Sequence, residues 1–333
     1  MPTEPPSAHP FLRVLDLRCT LSALGPVQLP DFMGTTLRGG LGQAFRRLAC
    51  TTRSPSCDGC AFRRTCAYAQ VWEPLPPPDA PKRFASPPRP YVVEVPAPAT
   101  PTQLAYGDPL SFNLKLFGSA SQHWPFFVLA VRDAAFEGLG RQRGRLRLET
   151  VHPSQQPLHL LFTPTTGLNG GPDPLPLRID TAPPAKAPSP CLRLDFCTPL
   201  HLKDNSRHQP RFDPVTFTAR LADRLDLLTA LYEDDAPRLP FVALREAAAK
   251  VQVIKAHTAP VKFKRFSSRA GAVPMAGISG AVDLAGVAPE LFALWRCAAY
   301  IHVGKQAVFG FGQVRLSELP RNAANRSAAT PPG

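Results

Sequence analysis

The chain has 333 residues, 44% of them hydrophobic, and a net charge of +13, which allows two domains with cores of their own and excludes a wholly disordered chain. Arginine outnumbers lysine, and a cationic surplus of this kind favours a polyanionic partner, nucleic acid first, because guanidinium forks onto phosphate and stacks on bases. The longest fully apolar run, Trp124–Val131, is too short for a membrane span, and an acid and several prolines precede the first apolar run, unlike a signal peptide. The expected location is therefore the cytoplasm, with reduced cysteines.

Phe11–Thr20 alternates apolar and polar residues, as a half-buried strand does. Thr35–Ala49 follows as a helix, with Leu37, Leu41, Phe45 and Leu48 on one face. Gly39, Gly40 and Gly42 lie inside it, each costing about 1 kcal/mol relative to alanine. Two explanations stand side by side. Either Arg38 and Arg46 flank a bare patch of backbone suited to a phosphate chain, or the glycines let the helix pack closely on its own sheet. Arg47 extends the same basic edge.

Cys50, Cys57, Cys60 and Cys66 come next, in the pattern C-x6-C-x2-C-x5-C. In a reduced compartment such a cluster signals a metal: structural Zn²⁺, or an iron–sulfur cluster given the uneven spacing. Four thiols without metal are the plainer alternative. The remaining cysteines fall in strand or helix candidates and read as core. Strands are expected at Tyr91–Val95 and Ser111–Leu116, a helix at Gln122–Phe136, a glycine loop at Gly138–Gly144 carrying Arg141 and Arg143, and a strand at Arg145–Val151.

Proline-dense stretches around Pro74–Pro101 and Pro153–Pro190 and after Pro320 read as loops or linkers. Between the last two the same order returns. A strand is expected at Leu192–Thr198, a helix at Pro214–Tyr232 with Phe217, Leu221, Leu225 and Leu228 on one face, and strands at Lys250–Ile254 and Val261–Phe266. A helix at Pro289–Tyr300 and a strand at Val314–Leu316 complete it. The fold class is α+β: two tandem ferredoxin-like (β-α-β-β-α-β, RRM-like) domains with a cysteine-rich insertion in the first. The expected boundaries are 1–155, a proline-rich linker 156–190, a second domain 191–318 and a tail 319–333.

The loop before the last strand, His302–Gly312, combines Gly304, Gly310 and Gly312 with Lys305. Its glycines let backbone N–H groups approach phosphate, or else serve only tight packing. It lacks the spacing of a P-loop and the strand–helix setting of a dinucleotide fingerprint. Upstream, Lys262, Lys264, Arg265 and Arg269 interleave with phenylalanines, a pattern that suits RNA contact or a solvated edge strand. No HExxH, GxSxG or paired-carboxylate motif is visible, so two-metal nuclease chemistry has no evident ligand set.

Five stretches resemble the RAMP (repeat-associated mysterious protein) superfamily of CRISPR-associated endoribonucleases that process precursor CRISPR RNA. They are LRGGLGQAFRRLAC with the cysteines and CAYAQVWEP, LFGSASQHWPFFVLAV with GLGRQRG, LDFCTPLHLK, RFSSRAGAVPMAGISGAVDL, and HVGKQAVFGFG. The resemblance implies tandem ferredoxin-like domains, binding of CRISPR repeat RNA, metal-independent cleavage and a place beside other subunits of an effector complex. It also implies a histidine on or near the first helix, where this chain has Gln43. The catalytic assignment that follows is His302 as base with Lys305 and Arg38 on phosphate. The alternative is a non-catalytic RAMP subunit that binds guide RNA.

Overall fold

The computed structural model describes residues 8–78, 80–96, 103–186, 188–204, 207–267 and 271–320. They form two compact units, one built mainly from residues 13–178 and one mainly from 179–320.

The first domain runs β1 (Phe11–Ala23), α1 (Gly34–Ala49), the short α2 (Ala67–Trp72), β2 (Tyr91–Glu94), β3 (Pro109–Phe117), α3 (Trp124–Glu137) and β4 (Leu146–Pro153). Its antiparallel strands lie in the order β2-β3-β1-β4, the ferredoxin-like arrangement. The first strand occupies the centre, paired from Val14↔Phe117 to Ser22↔Pro109 on one side and from Leu17↔Pro153 to Ala23↔Leu146 on the other. Of the apolar face expected on α1, Leu37, Leu41 and Phe45 are buried and Leu48 is half-buried. Phe45 meets Phe127 of α3 edge-on at 5.0 Å between ring centroids.

The second domain repeats this order with β5 (Cys191–Leu200), α4 (Pro214–Tyr232), α5 (Phe241–Ala249), β6 (Gln252–Ser267), β7 (Gly271–Ala285), α6 (Pro289–Ile301) and β8 (Val314–Glu318). The sheet order is β6-β7-β5-β8, the same arrangement as in the first domain. Phe217, Leu221, Leu225 and Leu228 of α4 are all buried, each contributing roughly 1.5–3 kcal/mol. Trp295 of α6 donates its indole N–H to Thr218 Oγ1 at 3.0 Å.

Three expectations are corrected. The two strands expected at Lys250–Ile254 and Val261–Phe266 are parts of one strand, β6, and its partner β7 lies in a glycine-containing stretch for which no element was expected. Pro260 is tolerated because β6 is an edge strand. Pro274 is tolerated because β5 pairs with β7 only from Ile278 onward, so β7 around Pro274 has β6 alone as neighbour. Second, α5 has no counterpart in the expected order. Third, the stretch 156–190 is not a separate linker. Its first part folds with the first domain, where Leu161 N–H donates to Val151 O at 2.8 Å, and its last part with the second, where Thr181 N–H donates to Pro10 O at 3.1 Å.

Candidate nucleic-acid interface

In the first domain the glycines of α1 serve packing. A Cβ on Gly42 would lie 2.9 Å from the Trp72 ring, and one on Gly40 would lie 3.0 Å from Leu139 Cδ2. The patch between Arg38 and Arg46 is thus filled by the aromatic face of α2. Arg38 lies over Trp72 at 4.9 Å and donates from Nε to the Tyr91 hydroxyl at 3.1 Å. Arg46 lies over Tyr68 at 5.6 Å and donates to Ser54 O. Both guanidiniums are half-buried, so the expectation of bare backbone between two phosphate-ready cations is corrected: each cation is seated on an aromatic ring. Burial is the first cause raising the Tyr91 phenol to about 12, with Arg38 opposing it, which keeps that phenol neutral. At the end of α3, Arg47 pairs with Glu137, and Arg143 donates to the Glu137 carbonyl at 3.3 Å. Arg141 projects from the turn that Arg143 N–H closes onto Gly140 O.

Cys50 closes α1 and Cys66 precedes α2. All four cysteines border one small cavity that also includes Thr52 and Tyr68. Thr52 Oγ1 lies 3.7 Å from Cys50 Sγ and 3.9 Å from Cys60 Sγ. The Thr52 hydroxyl, with help from Arg46, lowers the Cys50 thiol pKa, while burial and then Glu73 raise that of Cys57. Among the described residues no three His, Cys, Asp or Glu side chains are placed to hold a metal ion. The thiols surround the cavity without converging on a point inside it, so a formed zinc site is not what this conformation contains.

In the second domain the glycine loop is fastened to β5. Thr198 Oγ1 donates to Gly310 O at 2.6 Å, Gly312 N–H donates to Pro199 O at 2.9 Å, and Val303 N–H donates to Gly312 O at 3.0 Å. Gly312 has φ +70, and a Cβ there would lie 1.9 Å from Val303 O. Gly310 and Gly312 are buried, so they turn the chain rather than face solvent. His302 ends α6 with φ 58 and has no exposed surface; its Nδ1 lies 3.1 Å from Phe311 O. A ring so enclosed has no path to an RNA hydroxyl in this conformation, which corrects its assignment as base. Within the loop Lys305 is exposed, and Gly304 and Gln306 on either side of it are half-buried.

That arc of the loop leans on His201, one of two histidines that follow the expected strand Leu192–Thr198 and one of the chain's eight candidates for acid–base work. Lys305 N–H donates to His201 O at 2.9 Å, and Gly304 forms a parallel bridge with His201. A Cβ on Gly304 would lie 2.4 Å from the same carbonyl. The His201 ring meets His208 edge-on at 4.9 Å between centroids, and His208 is exposed. Two histidines soon after a predicted strand were the available signal, but nothing in the sequence tied them to the glycine loop.

The basic stretch lies on the β6–β7 hairpin. Lys262 pairs with Ala276, Lys264 with Pro274 and Arg265 with Val273. This part of the hairpin extends past the pairing of β7 with β5, so the backbone forms a two-stranded arm. Lys262 is exposed; Arg269 lies outside the described residues. Arg38 belongs to the first domain, whereas Lys305 and the arm belong to the second.

Residues 12–169 match a family described as an N-terminal domain, and residues 194–314 match the family of the CRISPR-associated endoribonuclease Cas6. No curated protein matches the chain in sequence. Among solved structures the chain is similar to a Cas6 product complex at 16% identity, covering 91% of this chain and 100% of that one with a TM-score of 0.54. It is similar to Thermus thermophilus Cas6 at 15% identity, covering 92% and 99% with a TM-score of 0.52. A third similar structure is a partial Cas6-RT-Cas1–Cas2 complex, at 12% identity, 93% and 47% coverage and a TM-score of 0.55. At these identities the likeness establishes the tandem ferredoxin-like fold.

Proposed function

We propose that the chain is a CRISPR-associated protein of the RAMP type, an endoribonuclease that binds CRISPR repeat RNA and cuts it into guide RNA, a reading supported by the Cas6-family match over residues 194–314. The observation that carries this reading is that the matched region contains most of β5 and the glycine loop strapped to it. The basic arm and the net charge of +13 support a phosphate backbone as the ligand.

Cleavage proceeds by attack of the RNA's own 2′-OH on the adjacent phosphorus. A base removes the hydroxyl proton, cations offset the charge that builds on the phosphate, and the 5′-oxygen leaves with a proton. This route requires no metal and yields a 2′,3′-cyclic phosphate. Lys305, exposed on the strapped loop, is suited to the charge on phosphate. Incubation with repeat RNA in EDTA tests the reading: one discrete cut is expected, abolished by a 2′-deoxy substitution at one position. Tight binding without a cut would instead identify a guide-binding subunit, a reading favoured by the lack of histidine in α1 and the burial of His302.

The cysteine segment is proposed to take a structural Zn²⁺ or iron–sulfur cluster after rotation of its thiols. Four cysteines bordering one cavity support this. Anaerobic purification followed by metal analysis should find metal in the wild type and loss of it in Cys60→Ser; metal-free wild type refutes the site. Other CRISPR subunits are the expected protein partners, since one similar structure is a partial Cas6-RT-Cas1–Cas2 complex.

A further inference from the structure

We propose that His208 is the catalytic base of the cleavage and that His201, beneath it at the glycine loop, donates a hydrogen bond to the scissile phosphate. The inference rests on the endoribonuclease reading and deepens it by placing the reacting groups.

Among the histidines, His302 is sealed inside the domain, and His123 Nε2 is occupied by Gln70 Oε1 at 2.9 Å. His208 is exposed, sits opposite Lys203 in a short hairpin and lies against His201. His201 in turn holds Lys305 and Gly304 of the loop through its own carbonyl. One corner of the second domain thus collects two imidazoles, two lysines and Gln306.

Three polar atoms in this corner ask for a ligand. Nδ1 and Nε2 of His201 and Oε1 of Gln306 are shielded from solvent; the Gln306 side chain stands close enough to act on the His201 ring, yet among the described residues none of the three atoms makes a hydrogen bond of normal geometry. Buried polar groups are normally paired, so an unpaired cluster marks a place where something binds. Gln306 itself holds φ 68, the left-handed region that a non-glycine residue avoids without cause. Burial first, and then the neighbouring His208, lower the pKa of His201, with Gln306 opposing and Lys203 and Lys305 adding to the shift. His201 is therefore neutral at pH 7, with one N–H to offer.

The chemistry balances without a further cofactor. A ring nitrogen of His208 takes the proton from the 2′-OH, the 2′-oxygen forms a bond to phosphorus, and the bond from phosphorus to the 5′-oxygen breaks. The departing 5′-oxygen takes a proton from water at this exposed edge, and the hydroxide left behind recovers the proton from His208. Lys203 and Lys305 offset the charge on the phosphate while His201 donates to one of its oxygens.

The test is single-turnover cleavage of repeat RNA in EDTA by the full chain. His208→Ala should slow cleavage roughly 100-fold or more, bind RNA within about threefold of wild type, and recover part of its rate in added imidazole. His201→Gln, which keeps a donor, should retain more activity than His201→Phe, which keeps the ring's bulk without one. His208→Ala cutting at the wild-type rate overturns the base assignment, and equal rates for His201→Phe and wild type overturn the donor. A wild-type protein that binds but never cuts removes the endoribonuclease reading itself, and this inference with it.

Discussion

Two kinds of residue hold the second domain in shape, a glycine in a left-handed turn and a charge with no solvent. Gly312→Ala forces a Cβ into Val303 O at a position with φ +70. The expected cost is about 2 kcal/mol or more, from left-handed strain and the clash combined, read as a lower denaturant midpoint. Asp226 is fully buried and takes a bidentate bond from Arg238 at 2.8 and 2.6 Å. Arg238→Ala strands that carboxylate and should cost about 3 kcal/mol. Titration has a sign as well. Burial lowers the pKa of both His123 and His201 from the usual 6.5, so the unfolded chain binds more protons just below that value. Stability should be fully present above pH 6.5 and fall as pH drops through the lowered values. Urea unfolding at pH 7.5 and 5.5 measures it, and His123→Gln should flatten the slope. At this scale the sequence was a poor guide to the site. His302 and Arg38 carried the right chemistry, but one is enclosed by Phe311 and the other is seated on Trp72. Trp72 is far from Arg38 in sequence, and Phe311, nine residues on from His302, meets it only through the fold of the glycine loop.

Elements were more legible, because periodicity is local. The faces of α1 and α4 and the alternation of β1 followed directly from residue spacing. The β6–β7 hairpin was missed because its inner strand, β7, contains glycines and a proline that interrupt an alternating pattern, and register shows that this part has a single neighbour. The arm that results gives the basic stretch a defined carrier. Replacing Lys262, Lys264 and Arg265 together by alanine should weaken RNA binding and lower the slope of log Kd against log salt by about 2, since each phosphate contact on single-stranded RNA contributes roughly 0.7. An unchanged slope would remove the arm from the interface. The glycines of α1 show the opposite lesson. Their role depended on Trp72, which α2 brings across the cysteine segment.

For the molecule as a whole, the tandem ferredoxin-like class was legible because each half repeats one order of elements. The domain limits were not, since proline density marks irregular backbone and says nothing of which core that backbone joins. The sheet order common to both domains also has a cost in time. Each begins with the strand that ends in the middle of its sheet, so β1 has no hydrogen-bonding neighbour until β3 follows, Val14 waiting for Phe117. At ribosomal rates of about 5–20 residues per second, the interval for about 100 residues is roughly 5–20 s. During that interval a largely apolar strand is open on both edges. The nascent chain therefore has a window of vulnerability to aggregation, one that a chaperone bound to residues 11–23 would cover.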